Sequence, residues 1–212
     1  MGSRFSLILI ACVAVFGGIL FFTKKDAGTP LNSDGSTVQA SNHTKGEGAK
    51  QVTLIEYGDF QCPACAGFYP IVEELVDKYK ADITFQFRSF PLRSIHPNAM
   101  LAHRSAEAAS NQDKFWEMYD LLYQNQQSWA SIPDPSNTFR SYAESLQLDM
   151  TKYEADVKSE ATNAIINADL AAGQELGITG TPTFILDGKK IETPKDAAEF
   201  EKVLQDAINA KQ

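Results

Sequence analysis

Cys62 and Cys65 are separated only by Pro63 and Ala64, and two sulfurs at that spacing can form, break and exchange a disulfide. The same pair could instead be half of a zinc site or an inert structural bridge. Zinc requires about four ligands, usually completed by a second cysteine pair or a histidine pair. Here the only other cysteine is Cys12, inside an apolar run, and the three histidines, His43, His96 and His103, are scattered. Thiol–disulfide chemistry is therefore the expected use of the pair.

That chemistry needs a particular setting, and the flanking residues supply one. Val52-Thr53-Leu54-Ile55-Glu56-Tyr57 is a run of strand formers leading into the motif. Ile71-Val72-Glu73-Glu74-Leu75-Val76 continues a helical pattern leading out of it, to about Lys80. Cys62 then stands at a helix start, with Pro63 in the first turn, where its missing N–H costs nothing. Unpaired N–H groups and the positive end of the helix dipole stabilise a thiolate there, so the Cys62 pKa should fall. Cys65, one turn on, lies beneath it.

Further along, Ile83 to Arg88 alternates with period two and predicts a second strand. From about 97 to 176 the signals are helical. Phe115, Tyr119, Leu122 and Tyr123 form one apolar stripe, and Tyr142 with Leu146 suggests another beyond the Pro133-Asp134-Pro135 break. Phe115, Trp116 and Tyr119 are read as core of this block rather than as a binding surface, His96 as a helix-start residue, and His103 as a helix surface or packing residue. A helix through Ala164, Ile165, Ala168 and Ala172 should stop at Gly177. Thr183 to Leu186 is a strand, Asp187-Gly188 a hairpin turn, and Lys190 to Glu192 its return. A last amphipathic helix carries Phe200, Val203, Leu204 and Ile208. The helical block reads as an insertion into an α/β sheet domain.

The chain has 212 residues, a formal net charge of −8 and a pI near 4.9. That balance argues against nucleic acid as a partner and offers no basic patch for anionic lipid. Residues 5–22 are almost continuously apolar and uncharged, with Arg4 before them and Lys24-Lys25 after, which is just long enough to span a bilayer. Residues 1–25 are read as an uncleaved signal-anchor. A cleaved signal peptide is one alternative; lipidation at Cys12, on the Leu9-Ile10-Ala11-Cys12 pattern, is another. Residues 26–50, rich in Gly, Ser, Thr, Asn and Asp, are expected to form a flexible linker, with His43 solvated in it. The folded domain is expected over 51–212.

A strand, a C-x-x-C at a helix start, a second strand, and Gly180-Thr181-Pro182-Thr183 opening a later strand together resemble the thioredoxin fold. The helical insertion narrows the resemblance to the DsbA-like thiol–disulfide oxidoreductases, and within them to the membrane-tethered bacterial branch. Phe90-Pro91-Leu92 with His96-Pro97, Gln112 to Trp116, and Leu176 to Phe184 are similar to segments of that branch. The resemblance runs from about Gln51 to the C-terminus. It implies a thioredoxin-like fold with an inserted all-helical subdomain, preceded here by an N-terminal transmembrane helix.

The resemblance also assigns roles. Cys62 matches the exposed nucleophile and Cys65 the buried resolving cysteine. Pro182 matches a proline whose preceding peptide bond is cis, which sets the backbone of Thr181 beside the sulfurs, where it can pair with an extended substrate. Glu56 matches a buried acid with an acid/base role toward Cys65. Ala64 is a departure: well-known members carry a histidine there, and alanine adds no charge to hold the thiolate. The implied activity is oxidation of exported proteins with free thiols, on the extracytoplasmic side of the cytoplasmic membrane. A DsbB- or VKOR-like membrane protein would re-oxidise the pair, and no metal or dissolved cofactor is implied. A reductase or isomerase of the same fold, and a chaperone or binding module with idle cysteines, are the rival readings.

Overall fold

The computed structural model describes residues 38–211. Five strands form one sheet: β1 (His43–Lys45), β2 (Val52–Gly58), β3 (Ile83–Ser89), β4 (Thr183–Leu186) and β5 (Lys189–Lys190), in the order β1-β3-β2-β4-β5. β2 and β3 are parallel, and every other pairing is antiparallel. Parallel neighbours need a crossover, and helix α1 (Pro63–Lys78) provides it.

Val52, Leu54, Ile83, Phe85 and Phe87 are fully buried on the sheet. They pack against Val72, Leu75 and Val76 of α1, and against Phe200, Leu204 and Ile208 of α8 (Ala197–Asn209). Tyr57 and Ile185 point the other way, into a smaller cluster with Phe90 and Ile178.

Between β3 and β4 the chain forms α2 (Ala99–Ser110), α3 (Phe115–Gln124), α4 (Gln126–Trp129), α5 (Ser136–Ser145), α6 (Met150–Lys158) and α7 (Glu160–Glu175). This is the helical insertion into a thioredoxin-like α/β fold. The Ala-rich face of α2 is buried, and Trp129 packs edge-on against Phe139 at 5.0 Å between ring centres. α7 is closed off by Gly177, just past its Leu176 cap, whose φ of 70° lets the chain turn back with Gly177 N–H on the Gln174 carbonyl and Ile178 N–H on the Gly173 carbonyl.

Two expectations change. Residues 38–50, assigned to a flexible linker, belong to the folded domain. Val38 and Ser41 are buried, and His43–Lys45 is the edge strand β1. Low apolar content misled the reading because polar partners order the segment. Ser41 donates from its backbone N–H and its hydroxyl to the buried Asp169 carboxylate. His43, expected to be solvated, stacks on Phe115 at 3.4 Å between ring centres and bonds Glu107 at 2.9 Å. Lys45 bonds both Glu73 oxygens, at 2.7 and 2.8 Å.

The anchor at 1–25 lies outside the described residues, as do Cys12 and the linker up to residue 37. Among the described residues no helix is long and apolar enough to cross a membrane.

Candidate active site

Cys62 caps the N-terminus of α1 in an extended conformation, with Pro63 in the first turn. Its N–H donates to the Asp59 carbonyl, and its carbonyl accepts from Ala66 N–H. Both cysteines are free thiols. Pro63 and Ala64 are exposed, so the motif forms a ridge at the domain surface. Cys62 is 6% exposed and Cys65 0%, which leaves only Cys62 open to attack.

The two sulfurs are unlike in acidity. A hydrogen bond from the Cys65 thiol is the largest influence on Cys62. Burial opposes it, and Thr181 and the backbone N–H groups of Cys65 and Ala64 reinforce it, bringing Cys62 down to about 5. Cys65 moves the opposite way, well above the ordinary thiol value. Burial is the main cause, followed by its bond to Cys62 and the Glu56 charge. One sulfur is therefore a thiolate at neutral pH and the other a thiol.

Glu56 sits on the central strand β2, paired across to Phe87 on one side and Phe184 on the other. It is 1% exposed, and one carboxyl oxygen has no hydrogen-bond partner. Burial, then the charges of Glu73 and Cys62, push its pKa up to about 8. It is protonated at neutral pH and close enough to Cys65 to be felt by it, which suits a proton donor and acceptor.

The Thr181–Pro182 bond is cis. The Cys62 thiol donates to the Thr181 carbonyl across 3.3 Å. Thr183 opposes Tyr57 in the β2–β4 ladder, which carries the Gly180–Pro182 turn to the sheet end where Cys62 stands. Beside this turn, Thr181, Pro182, Lys190, Ile191 and Glu192 line an open groove of about 580 Å³. The structure thus brings Cys62, Cys65, Glu56, Thr181 and Pro182 to one end of the sheet.

Several positioning residues escaped the reading of the sequence. The buried Asp59 carboxylate accepts from Gln61 N–H, Leu92 N–H and the His96 ring, at 2.7–2.8 Å. His96 therefore clamps the loop before the motif, whereas it was expected only to start a helix. The Gln126 amide donates to the carbonyls of Phe60 (2.7 Å) and Cys62 (2.9 Å). Gln61 donates to the Ala130 carbonyl and accepts from Asn98 N–H, tying the same loop to the insertion. Asp59 and Gln61, polar residues just before the motif, were the one available signal. His103, left between surface and packing, is fully buried against Phe60, and burial holds it down to about 4.

Residues 39–206 match the family model described as Thioredoxin. The chain is 35% identical over 153 residues to "Na(+)/H(+) antiporter NhaA 3" of Salinispora tropica, covering 72% of this chain and 22% of that one. It thus spans less than a quarter of that relative's length. Among solved structures it superposes on oxidised BdbD of Bacillus subtilis with a TM-score of 0.70 at 21% identity, covering 81% of this chain and 96% of that one. Alpha-DsbA1 of Wolbachia pipientis gives a TM-score of 0.71 at 18% identity, with 82% and 94% covered.

Proposed function

The chain belongs to the thioredoxin family, and from that premise we propose that it is a thiol–disulfide oxidoreductase working as an oxidase of exported proteins. The observation that carries this reading is the placement of Cys62 at the N-terminus of α1 over the fully buried Cys65, which holds Cys62 near 5 and Cys65 well above the ordinary thiol value. A stabilised thiolate stabilises the reduced pair, and whatever stabilises the reduced pair makes its disulfide the stronger oxidant. The DsbA-like fold, shared with BdbD and alpha-DsbA1, supports the same reading.

In the oxidised enzyme a substrate thiolate attacks Cys62 Sγ. The Cys62–Cys65 bond breaks, a mixed disulfide forms, and Cys65 leaves and takes a proton from Glu56. A second substrate thiolate then attacks the substrate sulfur of the mixed disulfide, releasing the substrate disulfide and the Cys62 thiolate. Of the two protons lost by the substrate thiols, one balances Cys65 and one goes to solvent. The Thr181 backbone and the groove beside it hold the substrate segment in an extended form.

The proposal includes a setting: residues 5–22 in the cytoplasmic membrane, the domain on the extracytoplasmic side, and re-oxidation by a DsbB- or VKOR-like membrane partner. The apolar run supports it. So does the Salinispora relative, because exchanging ions across a bilayer is a membrane protein's work. The decisive experiment is the equilibrium of the full-length protein with glutathione. A potential in the oxidising half of the family's range is expected. A value at or below thioredoxin's, about −270 mV, rejects the oxidase reading in favour of a reductase.

A further inference from the structure

Six buried side-chain atoms lack a hydrogen-bond partner among the described residues, and three of them are Glu56 Oε2, Tyr119 Oη and Tyr123 Oη. Tyr119 and Tyr123 lie one turn apart on α3, with ring centres 4.9 Å apart at 84°. Both phenols are held up primarily by burial, and the Glu56 charge acts on both; Tyr123 also feels Cys65.

Gly58 brings one phenol to the strand. It lies two residues past Glu56 on the same face of β2, about 7 Å along. A Cβ at Gly58 would stand 2.4 Å from the Phe87 ring and 3.0 Å from Tyr123 Oη, so the missing side chain leaves room for both. A buried unpaired hydroxyl has given up its hydrogen bonds to water and gained none in return. Phenylalanine would pack the same rings without that cost, so two unpaired phenols within electrostatic reach of a carboxyl with an unpaired oxygen invite a functional account.

Resting on the oxidoreductase reading, we propose that Tyr119 and Tyr123 are positioning residues for the proton that Cys65 exchanges with Glu56: their hydroxyls, directly or through water, donate to the Glu56 carboxylate whenever it forms and link it to solvent. The outer end of the path is Tyr69, whose ring packs on both phenols at 5.6 and 5.4 Å. Its hydroxyl donates to Asp120 and accepts from Gln124 near the surface. The other charged and titratable groups around Glu56 come from each packed element. α1 contributes Cys62, Cys65 and Glu73, and β1 contributes Lys45, which neutralises Glu73. α2 contributes His103, stacked on Phe87 and neutral at ordinary pH.

The step most sensitive to this is ring closure. With Cys62 joined to glutathione, Glu56 carboxylate takes the Cys65 proton, and the Cys65 thiolate attacks Cys62 Sγ. The Cys62–Cys65 bond forms, the bond to glutathione breaks, and glutathione leaves as thiolate. Its rate follows the carboxylate population, so in the wild-type protein it should rise with pH to a midpoint near the Glu56 value of about 8.

The test preforms that mixed disulfide on the full chain and follows glutathione release against pH in wild type, Glu56→Gln, Tyr119→Phe, Tyr123→Phe and the double phenylalanine variant. Losing donors to the carboxylate should raise the midpoint by about one pH unit in the double variant and slow closure about tenfold below it. Each single variant should show part of the effect, and Glu56→Gln should abolish the pH step. A double-variant profile that overlays wild type, with Glu56→Gln still impaired, overturns the phenol proposal and leaves the oxidoreductase reading standing. If wild-type Cys62 forms no mixed disulfide, both are rejected.

Discussion

The Cys62 sulfur lies 3.3 Å from the carbonyl oxygen of Thr181, a residue 119 positions later. The whole helical insertion separates them in sequence, and the antiparallel pairing of β2 with β4 reunites them. The contact suits the thiol, which has a proton to donate. A thiolate has none, and the Cys65 thiol and the backbone N–H groups of Cys65 and Ala64 are then its donors.

The sulfurs should divide their labour sharply. Alkylation of Cys62 should titrate with a midpoint near 5, while Cys65 stays unreactive at neutral pH. Cys65→Ser should accumulate mixed disulfides with substrates, visible on non-reducing gels, and Cys62→Ser should accumulate none. Equal labelling of both thiols would contradict the assignment.

The reduction potential should fall between about −270 and −120 mV, nearer the oxidising end. Ala64→His places a cation-capable ring beside the thiolate, so it should raise the potential and lower the Cys62 pKa together. Glutathione equilibria and thiolate absorbance measure the two separately. A change in one without the other would break the link between thiolate stability and oxidising power.

Glu56 makes stability depend on pH with a definite sign. Its folded pKa, about 8, lies above the ordinary 4.5. The proton is held more tightly folded than unfolded, so the associated stability is complete below about 4.5 and lost as pH rises through about 8. Glu56→Gln keeps shape and removes the titration. Measured by denaturant, the variant should gain on wild type as pH rises across that window, by up to a few kcal/mol at about 1.4 kcal/mol for each pH unit. A constant difference from pH 4.5 to 8 would refute this.

Asp169 should be the costliest polar residue to remove. It is fully buried and accepts from Ser41, the Arg88 guanidinium and Ser89 N–H, joining α7 to β3 and the segment before β1. Asp169→Ala leaves Arg88 unpaired and should destabilise the domain by about 3–5 kcal/mol. Hydrogen exchange should also show β1 loosening first. A loss under about 1 kcal/mol would mean the network is dispensable.

Cys62, Cys65 and the Gly180–Thr183 turn were readable because their chemistry is written in local spacing and turn residues. Glu56 could be singled out because a carboxylate in an apolar strand is conspicuous. Asp169 and Ser41 were not legible, since a hydrogen bond across 128 positions leaves no periodic trace. His43 and Lys45 sat in a polar stretch whose composition matches a linker, and only their partners, Glu107 and Glu73, make them structural. Tyr119 was read as core, and its ring is core; that its hydroxyl is unpaired depends on what faces it.

The direction of β1 sets the end from which the chain enters the sheet. β1 runs antiparallel to β3, with His43 beside Phe87 and Lys45 beside Phe85, while Ser89 closes β3 level with Gly58, just before the motif. The chain therefore enters the sheet from the Cys62 end and runs away from it. On the proposed anchoring, a domain hung by that corner would turn its nucleophile toward the bilayer, where the proposed membrane-embedded oxidant would be met. Clients would then have to come to the membrane to be served.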